Sequence, residues 1–181
     1  MAHINVPEGV PGIRSLVMFR PETGKPLYEL AQILLRNESP LTPAERELIA
    51  THVSSRNDCI FCMSSHAAAA RELFGAERNV VDCVIADVTT APLTPKMKAL
   101  LNIAGKVQEN GKLVTPEDVA EARRHGAEDR DIHDTVLIAA TFSMFNRYVD
   151  GLASYTPTDP KAYEEMGKRM STVGYALPKP A

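Results

Sequence analysis

Asn57-Asp58-Cys59-Ile60-Phe61-Cys62-Met63-Ser64-Ser65-His66-Ala67-Ala68-Ala69-Ala70-Arg71-Glu72-Leu73-Phe74-Gly75 is the stretch on which the fold of this chain turns. Asn57 and Asp58 can break a preceding helix and cap a new one. That helix is predicted from Cys59 to Phe74, stopping at Gly75. On its wheel Cys59, Cys62 and His66 fall within an arc of roughly 60°. They share this side with Met63, Ala69, Ala70 and Leu73, while Ser64, Arg71 and Glu72 lie opposite. Both thiols are therefore expected on the packed face, close to the helix start. Ile60 and Phe61 fall off that face. They are expected at an oligomer contact, at a substrate entrance, or as ordinary exposed apolar residues.

The sequence on either side is also helical in pattern. Leu27 to Arg36 has the 3.6-residue spacing of an amphipathic helix. Thr42-Pro43-Ala44-Glu45 is a capping box with proline in the first helical position, opening a helix to about Ser55. Residues 79–88 carry a β-branched run that suits helix or strand, and the helical neighbours favour helix. Leu93-Thr94-Pro95 repeats Leu41-Thr42-Pro43 and opens a helix to about Asn110. Thr115-Pro116-Glu117-Asp118 caps a shorter one ending near His125-Gly126. A long helix, about Arg130 to Leu152, is apolar nearly all round from Val136 to Phe145, as a buried central helix would be. Tyr163 to Thr172 is a short terminal helix. Residues 1–26, with Pro7, Pro11, Pro21 and Pro26, are expected as an irregular arm. The predicted fold class is all-α, a single domain over 1–181. Its parts are the arm, a first helical unit over 27–92, a second over 93–155 and a C-terminal segment over 156–181. The repeated Leu-Thr-Pro suggests two related three-helix units.

Composition narrows the function classes. The 181 residues are 44% hydrophobic and 24% charged, with 20 basic and 23 acidic side chains and a net charge of −3. No Lys/Arg block stands out, which argues against nucleic acid and anionic membrane as partners. The N-terminus has neither a basic n-region nor an apolar h-region, so no signal peptide is expected. The apolar run from Val136 to Ala140 is too short to span a bilayer. Three cysteines cannot close a disulfide framework, and a reducing cytosol is the expected compartment.

A CxxC pair in such a compartment is a chemical device. A helix N-terminus stabilises thiolate, the nucleophilic form. His66, one turn beyond Cys62, can take its proton or hydrogen-bond the thiolate. Cysteines three residues apart can also close into a disulfide. Glu47, in the first turn of the preceding helix, would meet His66 if the two helices pack antiparallel, and would then orient the imidazole.

The residues leave other readings open. Cys59, Cys62 and His66 could ligate a metal with Cys83 as fourth ligand, although a second close pair is missing. The thiols could be inert core residues, and Glu47 a solvated charge at a helix start. Cys83 reads most simply as core. Asn146, Arg147 and Asp150 form a polar patch ending an apolar helix, read as buried hydrogen bonds that fix helix packing, or as support for an inter-subunit or substrate site. His3, His52, His125 and His133 show no useful spacing.

Glu47, eleven residues, Cys59-x-x-Cys62, three residues, His66 resembles the AhpD-like alkylhydroperoxidase branch of the carboxymuconolactone decarboxylase family at every spacing. Pro11-Gly12-Ile13, Arg20-Pro21-Glu22-Thr23-Gly24, Glu45-Arg46-Glu47-Leu48-Ile49-Ala50 and Phe145-Asn146-Arg147-Tyr148-Val149-Asp150-Gly151-Leu152 extend the resemblance to its peroxidase-related members over most of the chain. The resemblance implies an AhpD-like helical bundle that forms a homo-oligomer. It implies peroxidase chemistry without haem, flavin or metal, on a hydroperoxide substrate, with an external dithiol as reductant. By position it makes Cys62 the attacking thiol, Cys59 the resolving thiol, and Glu47 with His66 a proton relay. Phe61 stands where AhpD itself often has histidine, which removes one proton carrier. The decarboxylase branch lacks the paired cysteines. The same cysteines would also serve a disulfide reductase, a redox sensor or a small-ligand carrier.

Overall fold

Thr42, Thr94, Thr115 and Asp159 each cap a helix whose next residue is proline, and these four starts organise the chain. In each, the side-chain oxygen accepts a backbone N–H of the first turn, and the proline occupies a position whose own N–H is not needed. Thr42 with Glu45, and Thr115 with Asp118, form reciprocal capping boxes. A computed structural model describes residues 2–175. Among these the elements are α1 (Ile13–Phe19), α2 (Pro21–Arg36), α3 (Pro43–Arg56), α4 (Ile60–Phe74), α5 (Asn79–Ala86), α6 (Pro95–Glu109), α7 (Pro116–Arg124), α8 (Asp129–Gly151) and α9 (Pro160–Val173), with two short 3-10 turns and no strand. The fold is an all-α bundle. Residue 1 and residues 176–181 of the expected C-terminal segment lie outside the described residues.

The arm expectation needs correction. Residues 13–19 and 21–26 are helical, not irregular. Pro21 occupies the first position of α2, and Pro26 falls early in that helix, where its missing N–H costs one bond. Gly24 is a packing residue. A Cβ there would lie 2.7 Å from the Cα of Val17, so glycine lets α1 fold tightly against α2.

α3 is the central helix: ten of its fourteen residues are buried, and it packs on α2, α4, α5, α6 and α8. Leu48, Ile49, Val53, Leu100, Leu101, Ile103, Ile138 and Phe142 fill the main core from α3, α6 and α8. α4 runs between α3 and α9, its two most extensive neighbours. Small residues allow this approach: a Cβ on Gly167 of α9 would sit 2.7 Å from Ala68. A second, smaller cluster joins Cys59, Phe61, Cys62, Ala68, Val149 and Tyr163. α8 is less enclosed than its sequence suggests, since α1 and α2 cover only part of it. Leu137 and Met144 remain 36% and 43% exposed. Among the described residues no helix is long and apolar enough to cross a membrane.

Candidate active site

Asn57, Asp58 and Cys59 turn the chain from α3 into α4. Asp58 takes the left-handed conformation (φ 54°), which a short polar side chain tolerates. The N–H of Cys59 donates to the carbonyl of Ser54 at 3.1 Å. Cys59 is the N-cap residue of α4, so the helix proper begins one residue later than expected, at Ile60. The tight turn folds α4 back along α3, and Glu47 near the start of α3 meets His66 in the middle of α4. Glu47 Oε2 and His66 Nδ1 are 2.6 Å apart. With the carboxylate ionised, Nδ1 carries hydrogen and donates, which leaves Nε2 as the nitrogen able to accept a proton.

Two further side chains complete the surroundings of Glu47, and neither is legible in the local spacing. Arg36, the last residue of α2, donates from Nη2 to Glu47 Oε1 at 2.5 Å and to the carbonyl of Met170 at 2.9 Å. Tyr175 Oη donates to Glu47 Oε1 at 2.6 Å and lies 3.1 Å from His66 Nδ1. Tyr175 gets there because Gly174, in the left-handed region at φ 65°, ends α9 and turns the chain inward. The N–H of Tyr175 is then held by Gln32 Oε1 at 2.7 Å. The His66 ring stacks on Tyr175 and meets the Phe142 ring edge-on at 4.5 Å between centroids.

Electrostatics follow from this crowding. Burial alone would raise the pKa of Glu47, but the charge and hydrogen bond of His66, the Arg36 guanidinium and the Tyr175 hydroxyl outweigh it. The carboxyl is held below its ordinary range. Burial and the adjacent Glu47 charge push the Tyr175 phenol well up, so it stays a hydrogen-bond donor. The Cys59 thiol is pushed up by its hydrogen bond with Cys62, by burial and by the neighbouring Cys62 charge. Cys59, Cys62 and Cys83 are free thiols.

Cys62, His66 and Tyr175 line a cavity of about 80 Å³. Leu27, Tyr28, Ala31, Phe142, Phe145 and Met170 make most of its wall apolar, with Arg14 and Arg169 also on the lining. Phe61 lines it too, and its burial corrects only the placement off the packed face that the helical wheel gave. Ile60 is 62% exposed, but Phe61 is only 5% exposed. The N-terminal segment and α9 cover it: its ring fills the space where a Cβ on Gly12 would stand and approaches Tyr163 at 6.3 Å between centroids.

Cys83 lies on α5, half-buried against the main core, while Cys59 and Cys62 belong to the smaller cluster. Among the described residues no group of three or more His, Cys, Asp and Glu side chains is placed to hold a metal ion. Within the polar patch Asn146 does fix packing: it donates to Ser54 Oγ at 3.0 Å and accepts from Asn57 Nδ2 at 2.9 Å. Arg147 bonds its own helix at the Ser143 carbonyl. Asp150 instead reaches Cys59, whose Sγ donates to Oδ1 at 3.3 Å.

The sequence pattern of the Carboxymuconolactone decarboxylase family matches residues 21–106, a span that contains Glu47, Cys59, Cys62 and His66. A solved structure of an uncharacterized peroxidase-related protein from Silicibacter sp. TM1040 is 30% identical and superposes with a TM-score of 0.77, over 86% of this chain and 79% of that one. The chain belongs to the carboxymuconolactone decarboxylase family, among its peroxidase-related members. The fold is shared more widely. An alkylhydroperoxidase AhpD core protein from Ralstonia eutropha JMP134, also described as peroxidase-related, matches with a TM-score of 0.81 at 24% identity, over 92% of this chain and 96% of that one. The uncharacterized protein YdfG of Bacillus subtilis is 26% identical over 110 residues, 61% of this chain and 74% of its own.

Proposed function

We propose that this protein is a thiol-dependent peroxidase, reducing hydroperoxides through a cycle of Cys62 and Cys59. The observation that carries the reading is the shared cavity. A free thiol, Cys62, and an imidazole backed by a buried carboxylate open onto the same small apolar space. His66, oriented by Glu47, receives the proton of Cys62. The thiolate attacks the O–O bond. Cys62 becomes sulfenic acid, and the alkoxide or hydroxide that leaves takes the proton back from His66 as alcohol or water. Cys59 then attacks Cys62 to give the disulfide and water, and an external dithiol returns both sulfurs to thiols. The apolar wall favours organic hydroperoxides over hydrogen peroxide. A homo-oligomer is part of this proposal, supported by apolar side chains exposed on α1, α2 and α8, namely Phe19, Ile33 and Met144.

The test is steady-state peroxide consumption with a dihydrolipoamide-type dithiol as reductant, comparing an organic hydroperoxide with hydrogen peroxide. Cys62→Ser is expected to abolish turnover, and Cys59→Ser to allow one stoichiometric oxidation without cycling. Full turnover by Cys62→Ser would remove this cysteine from the chemistry. Dithiol-linked reduction of small disulfides with no peroxide consumption would make the protein a disulfide reductase instead.

A further inference from the structure

We propose that Asp150 is the acid–base group of the second thiol, taking the proton of Cys59 as that sulfur attacks oxidised Cys62. The proposal rests on the dithiol cycle above but not on its peroxide half. Cys59 is wholly buried and is not among the residues lining the cavity that Cys62 and His66 share. A buried thiol that forms a disulfide must release a proton, and it needs a route to solvent. Asp150 supplies one: Oδ1 accepts from Cys59 Sγ at 3.3 Å, while the residue as a whole is exposed. Glu47 is committed elsewhere, to Arg36, His66 and Tyr175. The two sulfurs therefore have separate proton partners, Glu47–His66 for Cys62 and Asp150 for Cys59.

The position of Asp150 is otherwise unfavourable. It lies in the last turn of α8, where the helix dipole disfavours a carboxylate. The contact is nonetheless held in place from both sides. Asn146, one turn earlier on α8, bonds Ser54 and Asn57, and Ser54 in turn holds the N–H of Cys59. The carboxylate also helps keep the proton on Cys59 in the resting state, alongside burial and the Cys62 contact. In the resolving step the Cys59 sulfur forms the S–S bond, the S–O bond of the Cys62 sulfenic acid breaks, and the departing hydroxide leaves as water. The proton that Asp150 removes from Cys59 balances that water. The Cys62 sulfur is reduced and the Cys59 sulfur oxidised, with no outside electrons.

The experiment uses the reduced full chain in a Cys83→Ser background and the aromatic disulfide dithiobis(nitrobenzoic acid), so that no peroxide is needed. The first coloured thiolate is released as Cys62 forms a mixed disulfide, and the second as Cys59 closes the ring. Asp150→Asn is expected to slow the second phase at least tenfold and flatten its pH dependence, leaving the first phase unchanged; general-base removal at such a step commonly costs about a hundredfold or more. Asp150→Glu is expected to restore part of the rate. A second phase as fast in Asp150→Asn as in the parent overturns the proposal, as does equal slowing of both phases, which marks a structural role. Peroxide inertness of the parent protein, with the two-phase result intact, would overturn the peroxidase reading and leave Asp150 standing.

Discussion

Glu47 is wholly buried yet accepts from three side chains, and its environment sets the expected behaviour of point variants. Arg36→Met removes a cation bonded to a buried carboxylate and leaves that charge short of a partner. A loss of about 3 kcal/mol is expected by urea unfolding, within the range for breaking buried pairs. Tyr175→Phe keeps the ring stacked on His66 but withdraws one hydrogen bond from the ionised Glu47. The Glu47 carboxyl is then expected to titrate at higher pH, and the acid limb of the peroxide pH–rate profile to move to higher pH with it; an unmoved limb would show that Tyr175 does not tune this carboxylate. Glu47 and His66 could be paired from sequence because they sit on two helices joined by a short turn, which makes their meeting a local matter. Arg36 and Tyr175 could not. Tyr175 is 128 residues from Glu47 and reaches it only through the glycine turn after α9.

Among the helices, the ends were the most legible feature, because Thr-Pro starts and capping boxes are written in four adjacent residues. The α1–α2 region was not. Prolines and glycines read as breakers, while Gly24 serves contact with Val17 and Pro21 opens a helix. Phe61 escaped the helical wheel for a related reason: a wheel records one face of one helix, and α9 covers another. Gly167 offers a test of that α4–α9 contact. Alanine is the better helix former by about 1 kcal/mol, so Gly167→Ala would stabilise an isolated α9. Here its Cβ would meet Ala68 backbone at 2.7 Å. A net destabilisation of about 1–3 kcal/mol is expected by denaturant unfolding. A stabilised variant would show that the two helices can move apart freely.

The molecule as a whole carries its own pH dependence through His52, a buried histidine that the sequence did not mark. Burial, with Arg56 adding to it, lowers its pKa from 6.5 to about 4. The unfolded chain therefore binds a proton that the folded one refuses between about pH 6.5 and 4. His52 contributes its full stability above the unfolded value and loses it as pH falls through this window, by up to about 3 kcal/mol. Glu47 acts with the same sign at lower pH, since its folded carboxyl is held below the ordinary range. Urea midpoints measured from pH 7.5 to 4.5 are expected to fall steadily in the parent protein and less steeply in His52→Gln; parallel curves would exclude His52 as the source.

The inward turn at Gly174 also orders events in time. Cys62 is synthesised 113 residues before Tyr175. At roughly 5–20 residues per second the ribosome exposes both sulfurs some ten seconds ahead of the phenol that seals the carboxylate. A growing chain thus holds its thiols, imidazole and acid before it holds the phenol that completes the hydrogen bonding of Glu47. Until Gly174 turns Tyr175 inward, the Glu47 carboxylate of a growing chain carries one hydrogen bond fewer than it does in the finished fold.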